Sequence, residues 1–375
     1  MHDHNDMEDF YMDTILRPDE RAGLALRELY HRRGYQPYRM SKFEAYDLYV
    51  RNKSFLVSEN VITFTDTDGQ LMALKPDVTL SIVKNAPPAG GALQKVYYHE
   101  NVYRTSPAAM GFQEIMQTGL ECTGSLDLYA MGEVLALAAE SMSLLNRGDY
   151  LLDLGHMGFV TGLLEGQEDS VRKELLAEIG RKNAPAIRTA CAQAGIGHSL
   201  SEALCSLALL YGPPDEALPQ LKNLPDRSGV QSSLEELESL CALLKDRGLA
   251  ENLRLDFSIV NDMSYYNGVI FRGYLPGLPS GVLAGGRYDN LLRRMGKQGG
   301  AIGFAVYLDQ LERLEKAGEL DVDTLLLYRA GDDPAAVARL ADSLAEQGKT
   351  VRVERNIPQG LRYRETVRFG EGGQG

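Results

Sequence analysis

The part of this chain best suited to meeting a ligand lies between residues 254 and 311, where two glycines stand just before a predicted helix. Gly285 and Gly286 carry no Cβ, so the backbone there can approach a ligand or a neighbouring strand closely. A Gly-Gly pair is equally typical of an ordinary turn that leads into a helix. The pair by itself therefore leaves both interpretations open.

Three predicted elements must position these glycines. β-Rich residues at 254–259 and 269–275 predict two strands, joined by a polar turn at 266–268. After the glycines, a helix is predicted to begin at Arg287, with an apolar face formed by Leu291, Leu292 and Met295.

Metal and disulfide chemistry finds little support in the sequence. The four cysteines show no CxxC pairing; they are Cys122, Cys191, Cys205 and Cys241. The six histidines are scattered along the chain. We therefore predict no metal site, no disulfide framework and no cofactor.

Composition indicates a soluble globular protein of two or three domains. The chain has 375 residues, of which 44% are hydrophobic and 24% charged. Its net charge of −13 and pI near 5.1 lend nucleic-acid binding no support. No apolar run approaches the roughly 20 residues that cross a bilayer, and the N-terminus lacks the basic-then-apolar order of a signal peptide. We expect a cytoplasmic protein that does not bind membranes.

Three segments together resemble a known family. Tyr265-Tyr266, Gly285-Gly286-Arg287-Tyr288-Asp289 and Gly303-Phe304-Ala305 are similar to the histidine-specific signature and motif 3 of histidyl-tRNA synthetases. This resemblance implies an α+β fold, a class II aminoacyl-tRNA synthetase-like antiparallel sheet flanked by helices.

The same resemblance implies a domain organisation. Residues 1–320 would form the synthetase-like core. Within this core, the composition at about 164–248 changes to helix-forming Leu, Ala, Glu and Lys, interrupted by proline and glycine, and predicts a helical insertion of four or five short helices. Residues 321–375 would be a truncated α/β C-terminal region, shorter than the anticodon-binding domain of the family. A βαβ pattern spans 323–354, and the polar, Gly-rich residues 355–375 are expected to fray.

The resemblance also assigns a histidine-binding set. The segment Lys75-Pro76-Asp77-Val78-Thr79 is similar to the family's Arg-Pro-Glu-x-Thr, whose acid and threonine hold the α-amino group. Acids suit an ammonium and an imidazole N–H, and a tyrosine hydroxyl can fix the ring. By this resemblance the histidine-binding residues are Asp77, Thr79, Gln117, Glu121, Tyr265 and Tyr266.

The positions that would bind ATP phosphates are mostly altered. Arg104 matches the family's motif 2 arginine and is interpreted as a vestigial phosphate-binding residue. Asn261 stands where the family has its catalytic arginine, and Gln310 stands where the motif 3 arginine is expected. Loss of one charge-assisted contact to a developing charge costs ~3 kcal/mol. We therefore predict no catalytic residues and no catalysis by this chain.

The histidine-binding positions keep residues typical of the family, whereas the phosphate-binding positions are mostly altered. This combination resembles the ATP phosphoribosyltransferase regulatory subunits, which are paralogues of histidyl-tRNA synthetase. That family implies a non-catalytic subunit required for the first step of histidine biosynthesis, which confers feedback inhibition by histidine. It also implies a homodimer within a hetero-oligomer, with the short-form catalytic ATP phosphoribosyltransferase subunit as partner, histidine as ligand and no tRNA. Histidine could bind in the synthetase-like pocket or between subunits.

Two alternatives are a divergent histidyl-tRNA synthetase and a synthetase paralogue that binds another amino acid. The missing arginines and the short C-terminal region argue against the first, and the tyrosine pair argues against the second. Residues 349–368 carry a local excess of Lys and Arg. We interpret it as a solvated or partner-facing segment, because the region is too short for a folded RNA-recognition surface.

Overall fold

The computed structural model describes residues 16–52, 61–86, 93–106, 111–146, 148–225, 229–259, 265–313 and 320–370. The chain packs into two compact units, residues 1–312 and 313–375. The first unit contains every residue of the predicted histidine-binding set.

The first unit begins with a helix, a small sheet and a long hairpin. Its elements are α1 (Pro18–Arg32), β1 (Gln36–Pro37), β2 (Phe43–Ala45), α2 (Tyr46–Arg51), β3 (Thr63–Thr65), β4 (Leu71–Leu74), α3 (Thr79–Asn85), β5 (Gln94–Ser106) and β6 (Gly111–Gly124). Helix α1 starts with a proline followed by Asp19 and Glu20, which favour the positive end of the helix dipole.

The remainder of the first unit contributes most of its helices. Its elements are α4 (Leu128–Leu145), β7 (Leu151–His156), α5 (Met157–Leu163), α6 (Asp169–Gly180), α7 (Ala184–Gln193), α8 (His198–Leu209), β8 (Tyr211–Gly212), α9 (Pro214–Lys222), α10 (Gln231–Asp246), β9 (Leu253–Asp256), β10 (Val269–Tyr274), β11 (Leu283–Arg287), α11 (Asp289–Arg294) and β12 (Gly300–Tyr307). The helices α6 to α10 occupy the stretch expected to be a helical insertion.

A nine-stranded sheet of order β1-β5-β6-β12-β11-β10-β7-β9-β8 forms the body of this unit. Its neighbouring strands run antiparallel, apart from the parallel pairs β1–β5 and β7–β9. Helices α1 and α4 pack against its strands. The predicted α+β class and the largely antiparallel sheet flanked by helices are confirmed.

One expected connection is wrong. The strands predicted at 254–259 and 269–275 are not neighbours, because β7 lies between β9 and β10. Strand β9 also ends at Asp256, whose side chain accepts the backbone N–H of Ser258 at 2.7 Å and starts a 3-10 turn. The apolar residues that suggested a longer strand, Phe257 and Ile259, are buried in that turn.

The glycine pair lies within a strand and not at a turn. Gly285 and Gly286 belong to β11, and helix α11 begins at Asp289, later than the predicted Arg287. A Cβ on Gly286 would lie 2.7 Å from the ring of Tyr266. The missing Cβ therefore makes room for a tyrosine of the predicted site.

Helix α4 is the one described helix whose length and hydropathy would allow it to cross a membrane, and 67% of it is buried inside the protein. Core helices of globular proteins share this composition, so the feature is weak evidence for a membrane span. Its Asp127 N-cap accepts the backbone N–H of Ala130 at 2.8 Å, which fixes where the helix begins.

The second unit is a small α/β fold. It contains β13 (Val322–Leu327), α12 (Pro334–Glu346), β14 (Val351–Glu354) and β15 (Tyr363–Arg368). Strand β13 is central, with β14 and β15 parallel to it on either side. The βαβ pattern is confirmed, but the expectation that residues 355–375 fray is wrong for 363–368. An apolar central strand needs partners along both edges, and the polar C-terminal segment supplies the second one.

The basic residues of this unit lie among acids. Three ion pairs, with N–O distances of 2.7, 3.2 and 3.3 Å, are Lys349–Glu365, Arg362–Asp321 and Arg364–Asp323. Such surface pairs add at most ~1 kcal/mol each to stability. They do offset much of the local positive charge seen in the sequence of 349–368.

We predict that the backbone amides of residues 363–369 that point toward β13 are protected from hydrogen exchange, because β15 bonds to the central strand on that side and Phe369 N–H donates to Leu327 O at 2.8 Å. Exchange measured by mass spectrometry should be slow for peptides covering 322–328 and 363–369, and fast for the loop at 355–360. Exchange of 363–369 at the rate of an unfolded chain would contradict the pairing.

Candidate functional site

A cavity of about 400 Å³ lies on the nine-stranded sheet. Strands β5, β6, β10, β11 and β12, the start of α3 and residues 265–266 all contribute to its lining. All seven residues singled out from the sequence line it, namely Asp77, Thr79, Arg104, Gln117, Glu121, Tyr265 and Tyr266. The fold thus brings the whole predicted set together, while the ligand of the cavity stays a prediction.

Glu121 is a buried acid whose two carboxyl oxygens are both hydrogen-bonded. It is 2% exposed. Thr79 donates its hydroxyl to Oε1 at 2.7 Å, and Tyr288 donates its hydroxyl to Oε2. Burial raises the pKa of Glu121 to about 8, although these two hydrogen bonds oppose the rise. A cationic group placed beside Glu121 would favour its ionised form.

Gly303 on β12 makes room for that carboxyl group. Gly303 and Glu121 are cross-strand neighbours. A Cβ added at Gly303 would lie 1.7 Å from Oε2 of Glu121, far inside van der Waals contact. Any side chain at this position would therefore displace Glu121 from Thr79 and Tyr288.

Asp77 lies just before helix α3, beside Arg104. Its Oδ1 accepts the backbone N–H of Leu80 at 2.8 Å, and its Oδ2 is 4.0 Å from the Arg104 guanidinium. Burial raises the pKa of Asp77, and the charge of Arg104 opposes that rise. Arg104 also donates from Nε to the carbonyl oxygen of Pro76 at 2.8 Å. Arg104 is therefore held by the segment that precedes α3.

Aromatic rings form one wall of the cavity. The ring centroids of Tyr265 and Tyr266 are 4.6 Å apart, and those of Tyr265 and Tyr288 are 5.7 Å apart. Burial raises the pKa of all three phenols well above its ordinary value. They therefore stay neutral and can donate hydrogen bonds at physiological pH.

Gln117 brings an unused donor to the cavity. It is 3% exposed, and its side-chain Nε2 has no hydrogen-bond partner among the described residues. A buried N–H without a partner is costly, and polar groups of this kind are normally satisfied by a ligand or by water. Gln117 is therefore placed to donate to whatever occupies the cavity.

Four polar residues of the lining lie outside the predicted site set, namely Tyr98, Arg272, Tyr288 and Tyr307. Tyr288 belongs to the Gly285–Asp289 segment that carries the family resemblance, so that segment could have identified it. Arg272 lies on the predicted strand 269–275. Alternation along a strand shows which residues share a face with Arg272, but it does not show which face meets the cavity.

The structure describes one of the two positions where the sequence lacks an expected phosphate-binding arginine. Asn261 lies outside the described residues. Gln310 is described, and its Nε2 donates to Oδ2 of Asp309 at 2.8 Å. Within the described ranges, no group of three or more His, Cys, Asp or Glu side chains is placed to hold a metal ion.

The chemistry of the lining favours a small zwitterion over a nucleotide. Asp77 and Glu121 provide acids, and the described part of the lining provides two cationic side chains, Arg104 and Arg272. A triphosphate calls for several cations around its phosphates. The volume of about 400 Å³ is near the lower end of the ~300–1,000 Å³ usual for small-molecule pockets.

Sequence comparisons match this chain to one family. A family model described as histidyl-tRNA synthetase matches residues 14–311. A relative from Caldanaerobacter subterraneus subsp. tengcongensis, an ATP phosphoribosyltransferase regulatory subunit, is 32% identical over 342 residues and 87% of each chain. A protein of the same name from Acetivibrio thermocellus is 27% identical, over 88% of this chain and 81% of its own.

Solved structures share the fold. An ATP phosphoribosyltransferase regulatory subunit/histidyl-tRNA synthetase from Bacillus halodurans has a TM-score of 0.71 at 23% identity, covering 94% of this chain and 93% of that one. A chain of the ATP phosphoribosyl transferase (HisG:HisZ) complex from Thermotoga maritima has a TM-score of 0.61 at 21% identity, covering 77% of this chain and 97% of that one. This likeness confirms the synthetase-like architecture.

We predict that wild-type stability falls with rising pH relative to Glu121→Gln. The pKa of Glu121 is about 8 in the folded protein, against an ordinary value of 4.5. Between these values the folded state keeps a proton that the unfolded state releases. The free energy of unfolding should therefore fall by up to about 1.4 kcal/mol per pH unit in the wild type, and the glutamine variant lacks this proton.

Urea unfolding of both proteins across this pH window measures the difference. Glu114→Gln, at an exposed position on the same strand, is the matched control. A wild-type-to-variant difference that does not change with pH would mean that Glu121 is already ionised in the folded protein at neutral pH.

Proposed function

The chain belongs to the histidyl-tRNA synthetase family, and on that premise we propose that it is a non-catalytic regulatory subunit of ATP phosphoribosyltransferase whose cavity binds histidine. The observation that carries the proposal is a difference between the predicted histidine-binding and phosphate-binding residues. Every residue assigned to the amino-acid side lines a single cavity, whereas the arginines expected on the phosphate side are replaced at Asn261 and Gln310.

The amino-acid side of the cavity suits histidine. Asp77 would hold the α-ammonium group together with the neighbouring Thr79. Glu121 would accept the imidazole N–H in a charge-assisted hydrogen bond, and Tyr265 would orient the ring. Burial of these acids keeps water away from them, which strengthens each contact with a cationic or N–H group.

The phosphate side does not suit amino-acid activation. Formation of an adenylate places negative charge on the α-phosphate, and cations positioned around it lower the barrier. Gln310 is neutral and bonds to Asp309, and Arg104 is held beside Asp77 and Pro76. Both points support a role in binding without catalysis.

The proposed partner follows from the relatives. Proteins 32% and 27% identical to this chain bear the name ATP phosphoribosyltransferase regulatory subunit. In the proposed role, a homodimer of this chain joins the catalytic subunit in the cytoplasm, supports the first step of histidine biosynthesis and makes that step sensitive to histidine. For histidine to change the activity of the complex, it must bind one arrangement of the subunits more tightly than another.

Recognition of tRNA is not part of the proposed role. The basic residues of the second unit lie beside acids, as in Lys349–Glu365, Arg362–Asp321 and Arg364–Asp323. Phosphate-backbone binding requires Lys and Arg that release counterions, and partners of opposite charge reduce that release. The divergent-synthetase alternative would need both tRNA recognition and adenylate chemistry.

We predict that the purified chain shows no histidine-stimulated ATP–pyrophosphate exchange. The replacement of arginines at 261 and 310 removes contacts worth ~3 kcal/mol each, which amounts to several orders of magnitude in rate if the losses add. The assay compares the chain with a no-enzyme control and with an active histidyl-tRNA synthetase. Exchange above the no-enzyme level would refute the regulatory interpretation and favour a divergent synthetase.

We predict that Glu121→Gln raises the histidine concentration for half-inhibition of the reconstituted complex roughly ten- to a hundredfold, since a charge-assisted bond of about 1.5–3 kcal/mol is lost. Tyr265→Phe should shift the curve in the same direction. Phosphoribosyl transfer to ATP is measured across a histidine series, with Glu114→Gln as the control. Inhibition curves unchanged in both site variants would place the histidine sensor elsewhere in the complex.

A further inference from the structure

Arg272 is a cation of the cavity that no motif of the sequence assigns. It lies on β10 and lines the cavity, where it is partly exposed. The backbone register places Arg272 opposite Ala284 on β11, Ala284 opposite Ala305 on β12, and Ala305 opposite Gly119 on β6. Residues aligned in this way project from the same face of a sheet.

This row leaves open space beside the arginine. Arg272 lies three strand spacings from β6, about 14 Å in total. Ala284 and Ala305 between them carry only methyl groups, whereas the Tyr98 hydroxyl covers Gly119, 2.5 Å from where a Cβ would stand. The open floor therefore spans β11 and β12. Gln117 and Glu121 flank Gly119 on β6, on the same face. A ligand lying across this floor can therefore meet Glu121 or Gln117 at one end and the Arg272 guanidinium at the other.

The Arg272 side chain is supported at its stem, and its charge is not taken up by an ion pair. A Cβ added at Gly281 would lie 2.8 Å from Cγ of Arg272, so the stem packs closely on that backbone. The Arg272 side chain also contacts the Tyr274 hydroxyl. Asp153 on β7 is the register neighbour of Arg272. Burial raises the pKa of Asp153, and the charge of Arg272 is one of those that oppose the rise. Among the described residues, no carboxylate lies within the 4.0 Å of a salt bridge to Arg272.

Arg104, the other cation of the described lining, is differently placed. It donates to Pro76 O and lies 4.0 Å from the Asp77 carboxylate, the acid assigned to the α-ammonium group. An anionic ligand group near Arg104 would also face Asp77. The acid beside Arg272 is Asp153 on β7, which lies on the side of β10 away from β11 and does not line the cavity. A ligand anion above β11 would therefore meet Arg272 without facing that acid.

We propose that Arg272 binds the α-carboxylate of the amino-acid ligand. The inference rests on the proposed function, since it takes histidine as the ligand of this cavity. It gives the carboxylate a cation in a chain where Asn261 stands in place of the family's arginine. A guanidinium can hold a carboxylate through two parallel hydrogen bonds, which selects free amino acids over amines and alcohols of the same shape.

The test compares two ligands that differ only at the carboxylate. L-Histidine and L-histidinol, which has a hydroxymethyl group in its place, are titrated calorimetrically into the full chain, alone and with the catalytic subunit. The proteins are the wild type, Arg272→Gln, Arg272→Lys and the control Arg254→Gln. Arg254 lies on β9, where it is aligned with Asp153 of β7, and it does not line the cavity.

The wild type and Arg254→Gln should bind histidine at least about tenfold more tightly than histidinol, as expected for one charge-assisted contact. Arg272→Gln should lose roughly ten- to a hundredfold in histidine affinity, with histidinol affinity nearly unchanged, so that the preference disappears. Arg272→Lys should fall between them, because lysine keeps the charge but not the paired geometry.

An Arg272→Gln variant that still prefers histidine over histidinol as strongly as the wild type would refute the carboxylate assignment and leave the proposed function intact. A merely structural Arg272 would weaken both ligands equally in the glutamine variant, which also refutes it. A wild type that binds neither ligand, alone or in the complex, would overturn the proposed function together with this inference.

Discussion

The cavity depends on one buried carboxyl group. Glu121 sits on a central strand of the sheet, and its oxygens are satisfied by hydroxyls from two distant segments, Thr79 at the start of α3 and Tyr288 after β11. An acid buried without partners would be strongly destabilising. The fold therefore has to hold these segments together, and Gly303 has to remain without a side chain so that the carboxyl group can fit.

That arrangement also sets the character of the cavity. A carboxyl group whose pKa is raised to about 8 is inexpensive to bury while protonated, and it becomes a strong acceptor when a cationic or N–H group arrives. The nearby tyrosines stay neutral, so they add hydrogen-bond donors without adding charge. These properties support the proposed role of the cavity in binding a small ligand.

A binding site of this kind can regulate a partner only through differential affinity. Histidine would change the activity of a complex to the extent that it binds one arrangement of the subunits more tightly than another. A site that binds the ammonium, the imidazole and the carboxylate of one ligand has three contacts through which its affinity can differ between arrangements. Specificity for the free amino acid then matters more than catalytic power, which fits a synthetase-like sheet whose phosphate-side arginines are replaced.

The sequence by itself determined the fold class and the residues to predict for histidine binding, because side-chain types at motif positions such as Asp77, Glu121 and Asn261 carry the family resemblance. Composition also predicted the stretch of insertion helices, and local pattern predicted the C-terminal βαβ unit, since local sequence specifies local elements. Strand order was not accessible in this way. Local pattern cannot predict that β7 lies between β9 and β10, because the sequence of a strand shows which of its side chains share a face but not which strands pair with it.

Only the tertiary structure decided what the motif residues do for one another. For Gly285 and Gly286 the sequence left open a turn or a close approach to a ligand or strand, and their role in a strand beside Tyr266 emerges once β11 is paired. Residues 363–368 looked like a fraying tail, because the free edge of β13 that they cover is visible only in the folded unit. Arg272 belongs to no motif, and the register of four strands is what aligns it with Gly119, which Gln117 and Glu121 flank. Such long-range pairings arise when separated segments bury shared surface, and that information is spread over the whole chain instead of any one stretch.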